Sequence, residues 1–194
     1  MSAPERRTGR SAGLRLTPVV ADVVELAALP GRAAALRARA AERAVALPDR
    51  LGSGATPDGL AIAARPDRWL LLTGRAPPAA SAARWREFAA NDGVAIDLSA
   101  GFALLHLAGE QLRAVLARGC RLDLDADVFG PRQAATTIIA QVSVTLAALP
   151  SGLLLLTPVT TARYFSEWLA ASAAPFGFES LPGQPLAELS GETR

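Results

Sequence analysis

The chain has 194 residues, enough for one domain with a substantial core, and 51% of them are hydrophobic against 20% charged, the balance of a globular protein. Its formal charge of +2 is uneven, because Arg6, Arg7, Arg10 and Arg15 stand against Glu5 alone, which puts +3 before residue 18 and leaves a body near −1. A near-neutral body lacks the field that a phosphate backbone requires, which argues against nucleic acid as a partner, while a single cysteine with no CxxC pair argues against a disulfide framework or a zinc site and fits a reducing cytoplasm.

Residues 1–17 mix Arg, Ser, Gly and Thr without apolar periodicity and read as a flexible basic tail. No apolar stretch follows its arginines, and no segment reaches about 18 uninterrupted apolar residues, so neither a secretion signal nor a membrane span is expected. Pro30 can open a helix that strong helix formers carry to Leu47. RLGSGATP at 50–57 is loop chemistry, and Arg65-Pro66-Asp67-Arg68 turns a hairpin between two apolar runs. Ser81 is a plausible N-cap for a second helix with Trp85, Phe88 and Ala89 on one face.

Val94, Ile96 and Leu98 alternate as a strand, Ser99-Ala100-Gly101 reverses the chain, and residues 102–107 form the next strand. A third helix over 110–118 carries Leu112, Val115 and Leu116 and stops at Gly119. TTIIAQVSVTLAAL and GLLLLT read as strands around Pro150-Ser151-Gly152, and Thr160 can cap a last helix bearing Tyr164, Phe165, Trp168 and Leu169. Residues 181–194 read as a C-terminal tail. The body over 18–180 is one α+β domain in two halves, about 18–93 and 94–180. WLLLT at 69–73 and LLLLT at 153–157 each precede an aromatic helix, either the trace of an internal duplication or a coincidence in a leucine-rich chain. The expected architecture is a two-layer sandwich of antiparallel sheet with helices on one face.

RGCRLDLDADVFGP at 118–131 holds the one cysteine and three alternating aspartates. A calcium loop needs a glycine at its sharp turn and a later glutamate; VFGPRQAA supplies neither in place, so Asp123, Asp125 and Asp127 are expected to be solvated or to bond their own loop. Cys120 follows a helix C-terminus, where the dipole opposes a thiolate, and its ordinary role is packing. His106, the sole histidine, lies on a strand face with Phe102 and Leu104 and has no GxSxG elbow to make a triad. No phosphate-binding glycine loop occurs, and Asp97 is an acid in an apolar strand with no nameable partner. The expected inventory is therefore no catalytic, no cofactor-binding and no metal residue.

The run AIDLSAGFALLHLAGEQLRAVLARGCRLDLDADVF, with the strands after it and the aromatic last helix of Trp168 and Leu169, resembles the gamma subunit of heterotetrameric sarcosine oxidase over about residues 20–178. Gly119, Cys120, Leu122, Asp123, Leu124 and Phe129 match the most specific piece of the family pattern, and Asp97-Leu98-Ser99 agrees. Thr160-Thr161 stands where the family commonly has Arg-Ser, and Arg118-Gly119-Cys120 continues into Arg121-Leu122 unlike the Lys-Gly-Cys-Tyr motif of folate-binding iron–sulfur maintenance proteins.

The resemblance implies the fold group of the folate-dependent aminomethyltransferases and a cytoplasmic complex that oxidatively demethylates sarcosine to glycine. It further implies alpha, beta and delta partner subunits carrying FAD, covalent FMN, NAD, tetrahydrofolate and zinc, with this chain as a cofactor-free structural component. Leu122, Asp123 and Phe129 are interface candidates and equally candidates for local packing. Subunits of obligate complexes present apolar interfaces, so exposed aliphatic side chains are expected. The alternative is a free-standing folate-binding or aminomethyltransferase-like protein.

Overall fold

A computed structural model describes residues 12–77 and 79–189. In chain order the elements are β1 (Leu14–Val20), β2 (Asp22–Ala28), α1 (Ala33–Ala41), β3 (Gly52–Thr56), β4 (Gly59–Arg65), β5 (Arg68–Thr73), α2 (Ala80–Ala89) and β6 (Gly93–Asp97). They continue with β7 (Phe102–Ala108), α3 (Leu112–Ala117), β8 (Ala134–Ile139), β9 (Val142–Leu149), β10 (Gly152–Pro158), α4 (Ala162–Ala173), β11 (Phe178–Ser180), β12 (Gln184–Pro185) and α5 (Leu186–Leu189).

Two sheets form from these strands. One runs β3-β4-β5-β2-β6; the other runs β11-β1-β7-β10-β9-β8, with β12 also on β1. The strand alternation shows how they stack. Trp69 and Leu71 of β5 face α1 and α2, whereas Leu70 and Leu72 enter a core shared with the other sheet; likewise Leu153 and Leu155 of β10 face α3 and α4 while Leu154 and Leu156 meet the opposite sheet. A strand buried on both faces needs the near-continuous apolar run that WLLL and LLLL supply. The layers are therefore helix, sheet, sheet, helix. The expected single sheet with helices on one face gives way to two such units joined sheet to sheet, because Ile62, Leu70, Leu72, Leu154 and Leu156 form a second apolar face that a one-sided sheet would leave in water.

The order β-α-β-β-β-α-β runs twice, from β2 to β6 and from β7 to β11. In space β3-β4-β5-β2-β6 corresponds to β8-β9-β10-β7-β11, with β1 intercalated between β7 and β11. The β5–α2 and β10–α4 pairs, which carry the WLLLT and LLLLT segments, occupy equivalent places in the two orders.

Several boundaries differ from expectation. Leu14–Val20, placed partly in the tail, is a strand that pairs antiparallel with β7 and parallel with β11 and β12, so the larger sheet is mixed; residues 1–11 of that tail lie outside the described residues. Gly52–Thr56, read as loop, is β3, paired across the Pro57-Asp58 turn. The first helix ends at Ala41 because the chain turns at Ala44, whose φ is 56°.

Ser99-Ala100-Gly101 does not close a hairpin: β6 pairs with β2 and β7 with β1 and β10, so the chain changes sheets there, and β6 belongs to the first half rather than the second. Ser81 and Thr160 cap nothing; Ser81 lies inside α2 and donates to Asp22 Oδ2 at 2.7 Å, and α4 begins after Thr161. Part of the C-terminal tail is also ordered into the core, since Leu186 and Leu189 are buried between the sheets.

Candidate functional site

The stretch 118–131 is a loop held by itself. Gly119 is required by closeness, because a Cβ there would stand 2.6 Å from the Trp168 ring. Cys120, half-buried, bridges to Ile139 at the edge of the helix-side core. Asp123 Oδ1 accepts the Asp125 N–H at 2.9 Å, and Asp125 Oδ1 accepts the Asp127 N–H at 3.0 Å, two successive Asx turns in which the alternating acids order their own backbone. Arg113 of α3 donates to the carbonyls of Leu124 and Phe129. Phe129 and Leu124 are buried in the core under α3 and α4, Leu122 packs beside them, and Asp123 stays in solvent. The three interface candidates thus do not share one face. Among the described residues no group of three His, Cys, Asp or Glu side chains converges to hold a metal ion.

His106 faces between the sheets, with Leu104 and away from Leu105 and Leu107, as the strand alternation requires. Its Nε2 lies 3.1 Å from Ser151 Oγ, which donates to the Leu189 carbonyl at 3.2 Å. Since the serine proton is spent on that carbonyl, the oxygen takes a proton from the ring. The pair fastens α5 to the turn before β10. Burial, and then the charge of Arg15, press the His106 pKa below its ordinary value, against the opposing pull of the Ser151 backbone. Asp97 is exposed rather than embedded; the Ser99 N–H at 2.9 Å holds its carboxyl below the usual carboxylate range. Both groups are structural in their contacts.

A cleft of about 300 Å3 opens between the two sheets, bounded by Glu25, Arg65, Arg68 and Trp69 on one and by Phe102, Thr136, Thr145 and Leu156 on the other. Glu25 is 9% exposed, and its oxygens accept from Arg68 Nη1 at 2.8 Å and Arg65 Nη2 at 3.4 Å. Across the cleft the hydroxyls of Thr136 and Thr145 are bonded to each other at 2.9 Å. A general base needs a lone pair aimed at substrate, and both Glu25 oxygens are turned to guanidinium groups instead.

Sequence reasoning passed over Glu25 although VVELAA sets an acid in an apolar strand, the very signal that drew notice to Asp97. What distinguishes the two is the neighbouring strand: Arg68 lies on β5, which pairs with β2, whereas β6 is an edge.

No protein-family model and no curated protein matches the chain. Among solved structures it is similar to a chain of the heterotetrameric sarcosine oxidase from Corynebacterium sp. U-96, determined in complex with pyrrole 2-carboxylate. The two are 27% identical, with 87% of each chain covered and a TM-score of 0.73. It is also similar to the glycine cleavage system aminomethyltransferase T from Bartonella henselae, at 19% identity and a TM-score of 0.60, covering 89% of this chain and 48% of that one, a likeness of fold alone. No helix among the described residues is long and apolar enough to cross a membrane. The chain has the aminomethyltransferase-like α+β fold.

Proposed function

We propose that the chain is the non-catalytic gamma subunit of a heterotetrameric, flavin- and folate-dependent sarcosine oxidase, in which it stabilises the assembly by burying apolar surface against larger partners. The observation that carries this reading is the similarity to a chain of a heterotetrameric sarcosine oxidase over 87% of both. On this reading the alpha, beta and delta partners hold FAD, FMN, NAD, tetrahydrofolate and zinc, and the complex works in the cytoplasm.

Surface chemistry supports the role. Val94 and Ile96 alternate on the open edge strand β6, and with Ile138 and Val159 they stand about half exposed, an arrangement that partner burial would relieve. Glu25 and its two arginines support it too, since they brace the space between the sheets without leaving a free acid or base. The twice-repeated order of elements is read as an internal duplication.

Native purification tests the assignment. The chain is expected to elute in a yellow, flavin-bearing assembly; a monomer with no flavoprotein partner overturns it. Titration of the lone chain with a reduced folate provides the second arm, because micromolar binding would instead make it a free-standing folate-binding protein.

A further inference from the structure

The short helix α5 closes one end of the space between the sheets, beside the turn that opens β10; the cleft lies at the other end of that strand, by Leu156 and Pro158. Leu186 and Leu189 are buried in the same layer as Ile62, Leu72, Leu104 and Leu154. The chain arrives through β12, which pairs with Val19 and Val20 of β1, and Gly59 makes room for it, since a Cβ there would stand 3.1 Å from Leu186 Cδ2. One helical turn has no stability of its own. α5 therefore stays in place by what its two leucines and its last carbonyl touch.

That carbonyl belongs to a chain of bonds ending on a titratable ring. Ser151 donates to the Leu189 carbonyl at 3.2 Å and accepts from His106 Nε2 at 3.1 Å. The ring has little slack, because a Cβ at Gly152 would also stand 3.1 Å from Nε2. Thr17 on β1 and Leu154 on β10 flank His106 across the sheet, and Glu188 of α5 is exposed. The charge that acts on the ring is that of Arg15 on β1. A proton added to His106 is thus buried beside a like charge, a state that desolvation penalises. Lifting α5 lets water reach the ring at the loss of two leucine contacts, a far smaller opening than unfolding either sheet.

We propose that α5 is a proton-released strap: it lies closed between the sheets while His106 is neutral and lifts away when the ring takes up a proton. Lifting bares the layer of Ile62, Leu72 and Leu154 while both sheets stay folded. Burial and Arg15 hold the closed ring's hold on a proton below that of the open ring, so the open form is protonated first as pH falls. The open-to-closed ratio then rises by up to about tenfold for each pH unit below the ordinary histidine value, until the closed ring titrates too. The strap is built from this chain's own residues and stands whether or not the chain is an oxidase subunit.

The test follows the isotope-labelled full chain by heteronuclear NMR from about pH 7 to about pH 4.5, a range that spans the histidine window. The single histidine gives an unambiguous ring signal; the amides of Leu186 and Leu189 report the strap, and those of Leu153 and Leu155 report β10. The strap amides are expected to move to unfolded positions in step with the ring while β10 stays in place. His106→Gln keeps a donor nitrogen for Ser151 and takes no charge, so its strap should remain closed throughout. Ser151→Ala removes the bond to the Leu189 carbonyl and should shift opening to higher pH. Strap amides that stay fixed while the ring titrates overturn the proposal, as do strap and β10 amides that move together, or a His106→Gln chain that opens as the parent does. If neither ring nor strap responds in the parent, or His106→Gln does not fold, Ser151→Ala decides: a strap that opens with falling pH there upholds the proposal, and one still closed at the acid end sinks it.

Discussion

The half built on the five-stranded sheet buries its acids against arginine, whereas the half built on the seven-stranded sheet is closed by hydrocarbon. In the first, Asp92 is 7% exposed and bonded by Arg39, with Arg32 Nε at 3.8 Å, and Glu25 is held by Arg65 and Arg68. Arg39 also donates to the carbonyls of Phe88 and Ala89, the open end of α2, so one side chain of α1 ties together two helices and a loop. In the second half no acid is buried among the described residues. Leucine, valine and Phe165 fill its helix-side core, where the first half uses Ala33, Ala40, Ala61, Ala82 and Ala89 around Trp69 and Trp85. Alanine lets backbones approach but removes little apolar area from water. Equivalent elements can thus be closed either by area or by charge-assisted bonds that substitute for it.

The largest expected effect breaks the hydrocarbon half. Phe165 is fully buried and stacks on Trp168 at 5.9 Å. Phe165→Ala should cost about 3–5 kcal/mol in urea unfolding; a cost below about 1 kcal/mol would mean that this core yields and the contrast is misplaced. Next comes the brace of the other half. Asp92→Ala leaves Arg39 its two carbonyls but removes its charge-assisted partner and should cost about 1–3 kcal/mol. That loss should change little with added salt, since a partly buried pair is weakly screened.

The contrast also explains what could be read in advance. Leucine-rich runs at 153–157 and turn chemistry at Pro66-Asp67 and Ser151-Gly152 are local signals, and the strands and hairpins they announce are there. The helical faces of Trp85 with Phe88, and of Leu112 with Val115 and Leu116, are likewise buried as their spacing requires. β1 and β3 were missed because their stability is not local: LRLTPVV is ordered by strands from residues 102 onward, and the glycine-rich GSGAT by β4 and by the Arg132 carbonyl, which accepts the Ser53 N–H at 2.8 Å.

Of the candidate residues, the Asp123–Asp127 turns were legible because an Asx turn spans two residues. The Glu25 cluster was not, because its arginines lie about forty positions away in the chain. The clasp of His106, Ser151 and Leu189 is likewise a product of tertiary packing and carries no signature in spacing.

A smaller effect reads the buried histidine. The folded pKa of His106 lies below its ordinary value of about 6.5, so as pH falls the unfolded chain takes up the proton first. Stability is whole above that value and is lost as the pH drops through the window beneath it. His106→Gln should flatten this stretch of the stability profile, measured by urea midpoints at successive pH values. An unflattened profile would place the pH sensitivity in the arginine-braced half instead.

The smallest effect tests whether arginine bracing in the first half reaches its surface. Asp67 sits in the β4–β5 turn at φ 55° with its carboxylate 3.5 Å from Arg37, more than half exposed. Asp67→Gly relieves a left-handed backbone, at most about 1 kcal/mol for a residue that tolerates it. It also gives the unfolded chain more freedom, worth about 0.4–1 kcal/mol the other way, and removes a surface pair of about 0–1 kcal/mol. The terms nearly cancel, so the variant should fall within about 0.5 kcal/mol of the parent by thermal unfolding. A loss beyond about 1 kcal/mol would show that even the exposed pair carries load, because alanine has left the first half too little buried area to do without it.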